Sequence, residues 1–272
     1  MGKQNGLKHR VLRQVFRIPG ARLLASELPI TSIETRVALG LGVKPMYMFG
    51  IYRAAALAKG LGLPGITVIE FGVAGGRGLV AMEKSAKEVE RHFGVSIEVV
   101  GFDTGKGLPT PIDYRDLPYQ WQTGFYEMDV ERLRARLKRA HLILGNVGET
   151  VAAFLPTIKH PIGFVSFDMD FYSSTMMAFR LWDGASETRL PRVMCYFDDI
   201  YGHNEYIGEL GAIRDFNLGH SEMKLCPMYQ LGHTQECPSS WHDRIYMLHD
   251  FRHPLYCAYA NLKPPDSLEL AA

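Results

Sequence analysis

The sequence predicts an α/β fold: a doubly wound, mostly parallel seven-stranded sheet with helices on both faces and an antiparallel hairpin at one edge. Three observations predict it. Short β-branched or aromatic runs alternate with segments of helical periodicity, the pattern of successive strand–helix units. A glycine-rich turn follows the first run, and aspartates stand at the ends of the second, fourth and fifth. Two closely spaced final strand-like runs fit an antiparallel hairpin at the sheet edge.

Each element has its own signal. Residues 1–45 read as a basic, partly helical lead-in to a domain spanning 46–272. A helix runs from about Pro45 to Lys59, and Pro64 and Gly65 punctuate the chain before the β-branched strand Ile66-Thr67-Val68-Ile69. Beyond the glycine turn, Met82, Ala86, Val89 and Phe93 recur at helical spacing. Ile97–Phe102 is the second strand, and a Pro- and Gly-rich loop from Gly105 to Pro118 follows it. Val130, Leu133 and Leu137 mark an amphipathic helix whose basic residues read as a solvated face rather than an RNA patch. Leu142–Leu144, Ile162–Phe167 and Val193–Phe197 are the next strands. The helices after them lie near Thr150–Leu155, Ser174–Trp182 and Glu205–Asn217. Met223–Cys226 and Ile245–Leu248 form the hairpin.

Composition narrows the class of function. The 272 residues suit one large α/β domain, and an apolar share of 47% supports a continuous core. Thirty basic residues against 29 acidic ones create no field that would draw nucleic acid or an anionic membrane. Cys195, Cys226, Cys237 and Cys257 are too dispersed for C-x-x-C spacing, which argues against zinc-ribbon and thioredoxin chemistry. They read as free thiols of a reducing compartment. Met1–Arg22 has no unbroken apolar core of a secretory signal, and Gly6 stands where a myristoylation signal wants Ser or Thr. No apolar run approaches the ~20 residues that span a bilayer. The expected location is cytoplasmic and the expected partner a small-molecule substrate, without nucleic acid or membrane. Association with a second copy of the chain is left open.

Three groups of residues carry chemistry. The first is Glu70-Phe71-Gly72-Val73-Ala74-Gly75-Gly76-Arg77-Gly78, between a strand and a helix. Glycines there let the backbone approach a ligand, and the helix N-terminus beyond presents free N–H groups. Ala74 and Arg77 replace the second and third glycines of the dinucleotide fingerprint, and the G-K-[ST] of a phosphate loop is absent. Glu70 at the strand end suits a cationic, amino-acid-bearing ligand better than a pyrophosphate. The second is Asp103, placed to accept hydrogen bonds from ribose hydroxyls, which fits an adenosine-type ligand without choosing between a dinucleotide and others.

The third is Asp168-Met169-Asp170-Phe171-Tyr172 at one strand end with Asp198-Asp199 at another. Adjacent strand ends lie about 5 Å apart, so these carboxylates crowd together at the sheet's carboxyl edge. Their repulsion calls for a cation or a shared proton, and oxygen ligands without His or Cys favour Mg²⁺ or Mn²⁺. Asp168 ends its strand and is the preferred ligand, whereas Asp170 is expected to cap the following helix.

The order E-F-G-V-A-G-G, G-F-D-T-G-K-G-L-P, F-D-M-D-F-Y-S-S-T and F-D-D-I-Y-G-H resembles the macrocin O-methyltransferase family over roughly Met46 to Phe216. That family comprises class I enzymes dependent on S-adenosylmethionine (SAM), several of which methylate sugar hydroxyls. The resemblance implies that Glu70, Gly72, Gly75 and Gly76 line the methionine end of SAM, and that Asp103 holds the ribose. Asn146 and Val147 would border the adenine, and Asp168, Asp198 and Asp199 would bind Mg²⁺. The family's Gly-Gly turn before the fifth strand is replaced here by Glu187-Thr188-Arg189-Leu190-Pro191, which implies a different loop.

The expected activity is O-methylation of a diol-bearing small molecule. Asp198 or His203 is the candidate base. A Mg²⁺-dependent phosphoryl-transfer or hydrolytic enzyme and a non-catalytic SAM-fold protein are the alternatives, and a nicotinamide enzyme would need the missing fingerprint. Trp121, Tyr126 and Tyr172 are expected in the core. His220, His233, His242, His249 and His253 show no ligand spacing.

Overall fold

The strand that carries the glycine turn, β1 (Gly65–Phe71), is buried along its whole length, as its β-branched sequence requires. It lies in a computed structural model that describes residues 32–200, 204–235 and 237–262. The other strands are β2 (Ser96–Asp103), β3 (His141–Leu144), β4 (Ile162–Phe167), β5 (Arg189–Phe197), β6 (Met223–Pro227) and β7 (Ile245–Asp250). They form one seven-stranded sheet in the order β3-β2-β1-β4-β5-β7-β6. The first five are parallel, and β7 inserts antiparallel between β5 and β6.

The principal helices are α1 (Ile33–Leu39), α2 (Pro45–Gly60), α3 (Arg77–Phe93), α4 (Val130–Arg136), α5 (Val147–Phe154), α6 (Tyr172–Ala178) and α7 (Gly208–Gly219), with a single turn α8 (Leu231–Thr234). Helix α2 packs on β1, β4 and β5, and α3 on β2. Helices α5, α6 and α7 form a packed row, with α5 touching β2 and α7 touching β6. The helical repeat Met82, Ala86, Val89 and Phe93 is buried throughout, so α3 is amphipathic in the way its spacing predicts. Helix α1, inside the lead-in, buries Ile33 and Val37 in the same core; residues 1–31 lie outside the described residues.

The strand order reverses at β1. From it the sheet grows one way through β2 and β3 and the other way through β4 and β5, so a crevice opens between the carboxyl ends of β1 and β4. The floor of that crevice is aromatic. Phe71 is in register with Phe102 and Phe167, and Phe167 with Phe197. Their rings stack with centroids 4.9, 5.5 and 4.7 Å apart. One residue further along, the ladder continues: Gly72 N–H donates to Phe102 O (3.0 Å), Asp168 N–H to Phe71 O (3.0 Å) and Asp198 N–H to Phe167 O (2.9 Å). The acidic residues are therefore held in line by strand pairing above a close-packed apolar row.

Two expectations change. Arg189, Leu190 and Pro191 are not a loop; they begin β5 and are buried. Arg189 is drawn in by a buried ion pair with Asp250 of β7 (2.7 Å), and its guanidinium also donates to the carbonyls of Trp182 and Gly184. The helix expected over Ser174–Trp182 begins earlier and tightens into a 3₁₀ turn over Phe179–Asp183.

Candidate functional site

A cavity of about 530 Å³ occupies the crevice. The glycine turn, Asp103, Asn146, Val147, Asp168 and the Asp198-Asp199 pair all line it. The three sequence signals, separated by up to 129 positions from Glu70 to Asp199, thus open into one space.

At the glycine turn, Gly72 has φ +80°, and a Cβ there would stand 1.7 Å from the carbonyl oxygen of Asp168. Glycine is required because the β1 and β4 ends pass so closely. Gly75 has nothing within 4 Å of its missing Cβ, so the backbone at this point borders open cavity and accepts the close approach of a ligand. Glu70, 1% exposed, accepts a hydrogen bond from Tyr47 Oη at 2.6 Å on Oε1, while its buried Oε2 has no partner. Burial pushes its carboxyl up to about 7, and the hydrogen bond from Tyr47 and the charge of Lys44 oppose the rise. Tyr47 is itself held by Ser166 Oγ at 3.0 Å.

Asp103 does more than end a strand. Its Oδ2 accepts the N–H groups of Val73 (2.9 Å) and Ala74 (2.8 Å), and its Oδ1 that of Gly105 (2.6 Å). The carboxylate fastens the glycine turn to the start of the next loop. Asn146 caps α5 by accepting from Gly148 N–H at 2.9 Å, and Val147 opens that helix beside the cavity.

Asp168, Asp198 and Asp199 each offer a carboxylate oxygen, and these oxygens lie within 4.8 Å of one another. Burial and the charges of Asp199 and Asp198 hold the Asp168 carboxyl well above the usual range. A hard divalent cation fits this set: partly buried oxygen donors converge, and their mutual repulsion is what such an ion relieves. Asp198 is anchored from behind, its Oδ1 accepting from Tyr196 Oη (2.5 Å) and from the Arg244 guanidinium (3.1 Å).

Asp170 does not cap a helix. Phe171 is the N-cap residue of α6 and makes no side-chain cap bond. Asp170 sits one residue too early, in a left-handed turn (φ +58°), and its N–H donates to Asp199 Oδ2 at 3.0 Å. Burial and the neighbouring Asp199 and Asp198 raise its carboxyl to about 7.

Trp121 and Tyr126 are not core residues. Leu108 pairs with Gly124 and Phe125 through two backbone hydrogen bonds of 2.8 Å, which folds the loop back over the crevice. Trp121 and Tyr126 then line the cavity with ring centroids 5.9 Å apart, and Tyr126 remains 53% exposed. Buried Asp116 anchors the same loop by accepting from both Ser173 N–H and Ser173 Oγ at 2.8 Å. Tyr172 lies under the Arg115 guanidinium, 3.8 Å from its ring centroid, and donates to Asp215 at 2.9 Å. His203 lies outside the described residues.

Sequence reading missed Tyr47, Arg244 and Glu209, the fully buried glutamate of α7 that reaches both acidic loops. Burial, then the charge of Asp199, holds the Glu209 carboxyl well above its ordinary range, against the two N–H groups it accepts. The only sequence signal of the three is a polar residue on the apolar face of an element.

No protein-family model matches the chain, and no curated protein does. Among solved structures it is similar to the calicheamicin methyltransferase CalS11, at 22% identity over 92% of this chain and 93% of that one, with a TM-score of 0.51. The chain has the class I methyltransferase fold. An apo structure of CalS11, described as a TDP-rhamnose 3'-O-methyltransferase, matches at 21% identity over 92% and 95% of the two chains, with a TM-score of 0.44. An O-methyltransferase from Bacillus cereus bound to S-adenosylhomocysteine matches at 12% identity over 84% and 94%, with a TM-score of 0.40. Among the described residues, no helix of this Rossmann-like methyltransferase fold is long and apolar enough to cross a membrane.

Proposed function

We propose that the protein is a SAM-dependent O-methyltransferase that uses Mg²⁺ or Mn²⁺ to methylate a hydroxyl of a small molecule, a sugar or another diol-bearing compound. One observation carries the reading: the glycine turn, Asp103 and the trio Asp168, Asp198 and Asp199 share a single cavity at the switch point of the sheet. A donor site alone would fit many methyltransferases, and an acidic trio alone would fit phosphoryl transfer. The missing phosphate loop disfavours the second, and the fold shared with CalS11 supports the first.

In this reading Glu70, Gly72, Gly75 and Gly76 receive the methionine end of SAM. The unpartnered Oε2 of Glu70 makes this end of the cavity a place for positive charge. Asp103 receives the ribose hydroxyls with the lone pairs its backbone bonds leave free, and Asn146 and Val147 border the adenine. Asp168, Asp198 and Asp199 would hold a divalent cation, which would supply positive charge to acidify and orient a hydroxyl.

In-line transfer would require the acceptor oxygen to stand opposite the sulfur, across the methyl carbon. The C–O bond forms as the C–S bond breaks, and the electron pair leaves with sulfur as S-adenosylhomocysteine. The hydroxyl proton passes to a base, Asp198 or His203. Asp198 has Oδ1 tied to Tyr196 and Arg244, so the side chain is fixed in place while it acts.

Calorimetry with SAM and with NAD is the first test: SAM binds and NAD does not. NAD binding in place of SAM overturns the reading. Labelled-methyl transfer to a panel of diols, with and without EDTA, is the second. Turnover that survives complete removal of metal would leave the donor assignment standing and remove the metal from the mechanism.

A further inference from the structure

Strand pairing positions Asp168 and Asp198 only at their backbones. Past that point each strand end becomes a loop, and the loops carry like charges toward each other. Asp170 in a left-handed turn and the bond from its N–H to Asp199 Oδ2 show how sharply the β4 loop bends toward its neighbour. Electrostatics acting alone would drive the two loops apart.

Glu209 spans them. It lies in the first turn of α7, 0% exposed, where a carboxylate is rare without a purpose that repays its desolvation. Its Oε1 accepts the N–H of Met169, the residue after Asp168, at 3.3 Å. Its Oε2 accepts the N–H of Asp199 at 3.0 Å. One side chain thus holds a backbone amide of each loop, and both amides adjoin or belong to the acidic trio. The shape of the carboxylate matters, because two N–H donors need two acceptor oxygens on one rigid plane. An amide in its place would turn an NH₂ group on one of the donors.

We infer that Glu209 is a positioning residue that sets the spacing of Asp168 and Asp199, and so the affinity of the acidic trio for a divalent cation. The inference rests on the metal reading above. Outer partners of this kind typically change metal affinity by 10–100-fold when lost. Asp198 is governed separately by Tyr196 and Arg244, so the loss of Glu209 misplaces two ligands and leaves the third where it is.

The test uses Mn²⁺ as probe, titrated into the 272-residue chain and followed by electron paramagnetic resonance, with SAM affinity measured in parallel. Wild type binds Mn²⁺. Glu209→Gln, which keeps the volume and so the fold, weakens Mn²⁺ at least tenfold and changes SAM affinity less than twofold. Hydrogen exchange at the Met169 and Asp199 amides accelerates in the same variant. Glu209→Ala gives a larger loss. Arg189→Met, which breaks the buried pair with Asp250 at the opposite end of β5 from Asp198, is the control for mere destabilisation: it lowers the unfolding temperature and leaves Mn²⁺ affinity unchanged. Wild-type Mn²⁺ affinity in folded Glu209→Gln, with unchanged exchange at the two amides, overturns the inference and leaves the metal reading intact. Absence of Mn²⁺ binding by the wild type overturns the metal reading, and this inference with it.

Discussion

The Oδ2 atom of Asp103 accepts the backbone N–H of Ala74 at 2.8 Å, across the gap between the end of β2 and the glycine turn. Ala74 is held there with φ +43°, a left-handed conformation that a residue with a Cβ seldom adopts unaided. The carboxylate expected to receive a ribose is therefore also the clasp that shapes the turn next to it. In the proposed reading, ligand recognition and loop geometry depend on the same two oxygens.

Removing that clasp has two consequences. Asp103→Ala loses the two oxygens that accept three backbone N–H bonds, each charge-assisted bond being worth about 1.5–3 kcal/mol before relaxation. The variant unfolds at a lower temperature and binds SAM at least tenfold more weakly by calorimetry. Unchanged SAM affinity in a folded variant removes Asp103 from the donor site.

The acidic trio predicts a trade between stability and metal binding. Asp168→Asn abolishes Mn²⁺ binding, and in metal-free buffer it is at least as stable as wild type, because one of three mutually repelling carboxylates is gone. Asp170→Asn behaves differently: asparagine tolerates the left-handed turn, so the Asp170 N–H stays directed at Asp199 Oδ2 and metal binding persists. Equal loss of Mn²⁺ affinity in both variants would make Asp170 a ligand.

Glu70 gives the apo protein a pH dependence of defined sign. Burial raises its carboxyl from the ordinary 4.5 to about 7, so between these values the folded state holds a proton that the unfolded state has released. Stability therefore falls as pH rises through this window, by ~3 kcal/mol at the upper end. Thermal unfolding from pH 4.5 to 8 shows a steeper decline in wild type than in Glu70→Gln. Parallel curves for the two proteins count against a proton held at Glu70.

Trp121 separates the two halves of the cavity experimentally. It lines the space from the loop folded over the crevice rather than from the glycine turn itself. Trp121→Ala raises the KM for the acceptor several-fold and leaves SAM affinity within twofold of wild type. A matching loss of SAM affinity would place the indole against the donor instead.

The sequence by itself determined the layer architecture and the edge of the sheet at which the candidate residues meet. Strand and helix alternation reads directly from local periodicity: Ile162–Phe167 is bounded as its apolar run predicts, and the Met82-to-Phe93 repeat is the buried face of α3. Glu70, Asp103, Asp168 and Asp198 were legible because each stands at or just beyond the end of a strand, and parallel strands bring such ends to one edge. The tertiary structure decided what crosses between elements. Tyr47 reaches Glu70, Arg244 reaches Asp198, and Glu209 reaches Met169 and Asp199 only after helices have packed on the sheet. It also drew Arg189 into a strand through Asp250, and turned Asp170 from an expected helix cap into a neighbour of Asp199. Folding of the loop between Leu108 and Phe125 carried Trp121 and Tyr126 to the cavity wall. Periodicity reports which face of an element is buried, whereas a hydrogen bond between residues far apart in sequence depends on distances that no single element fixes.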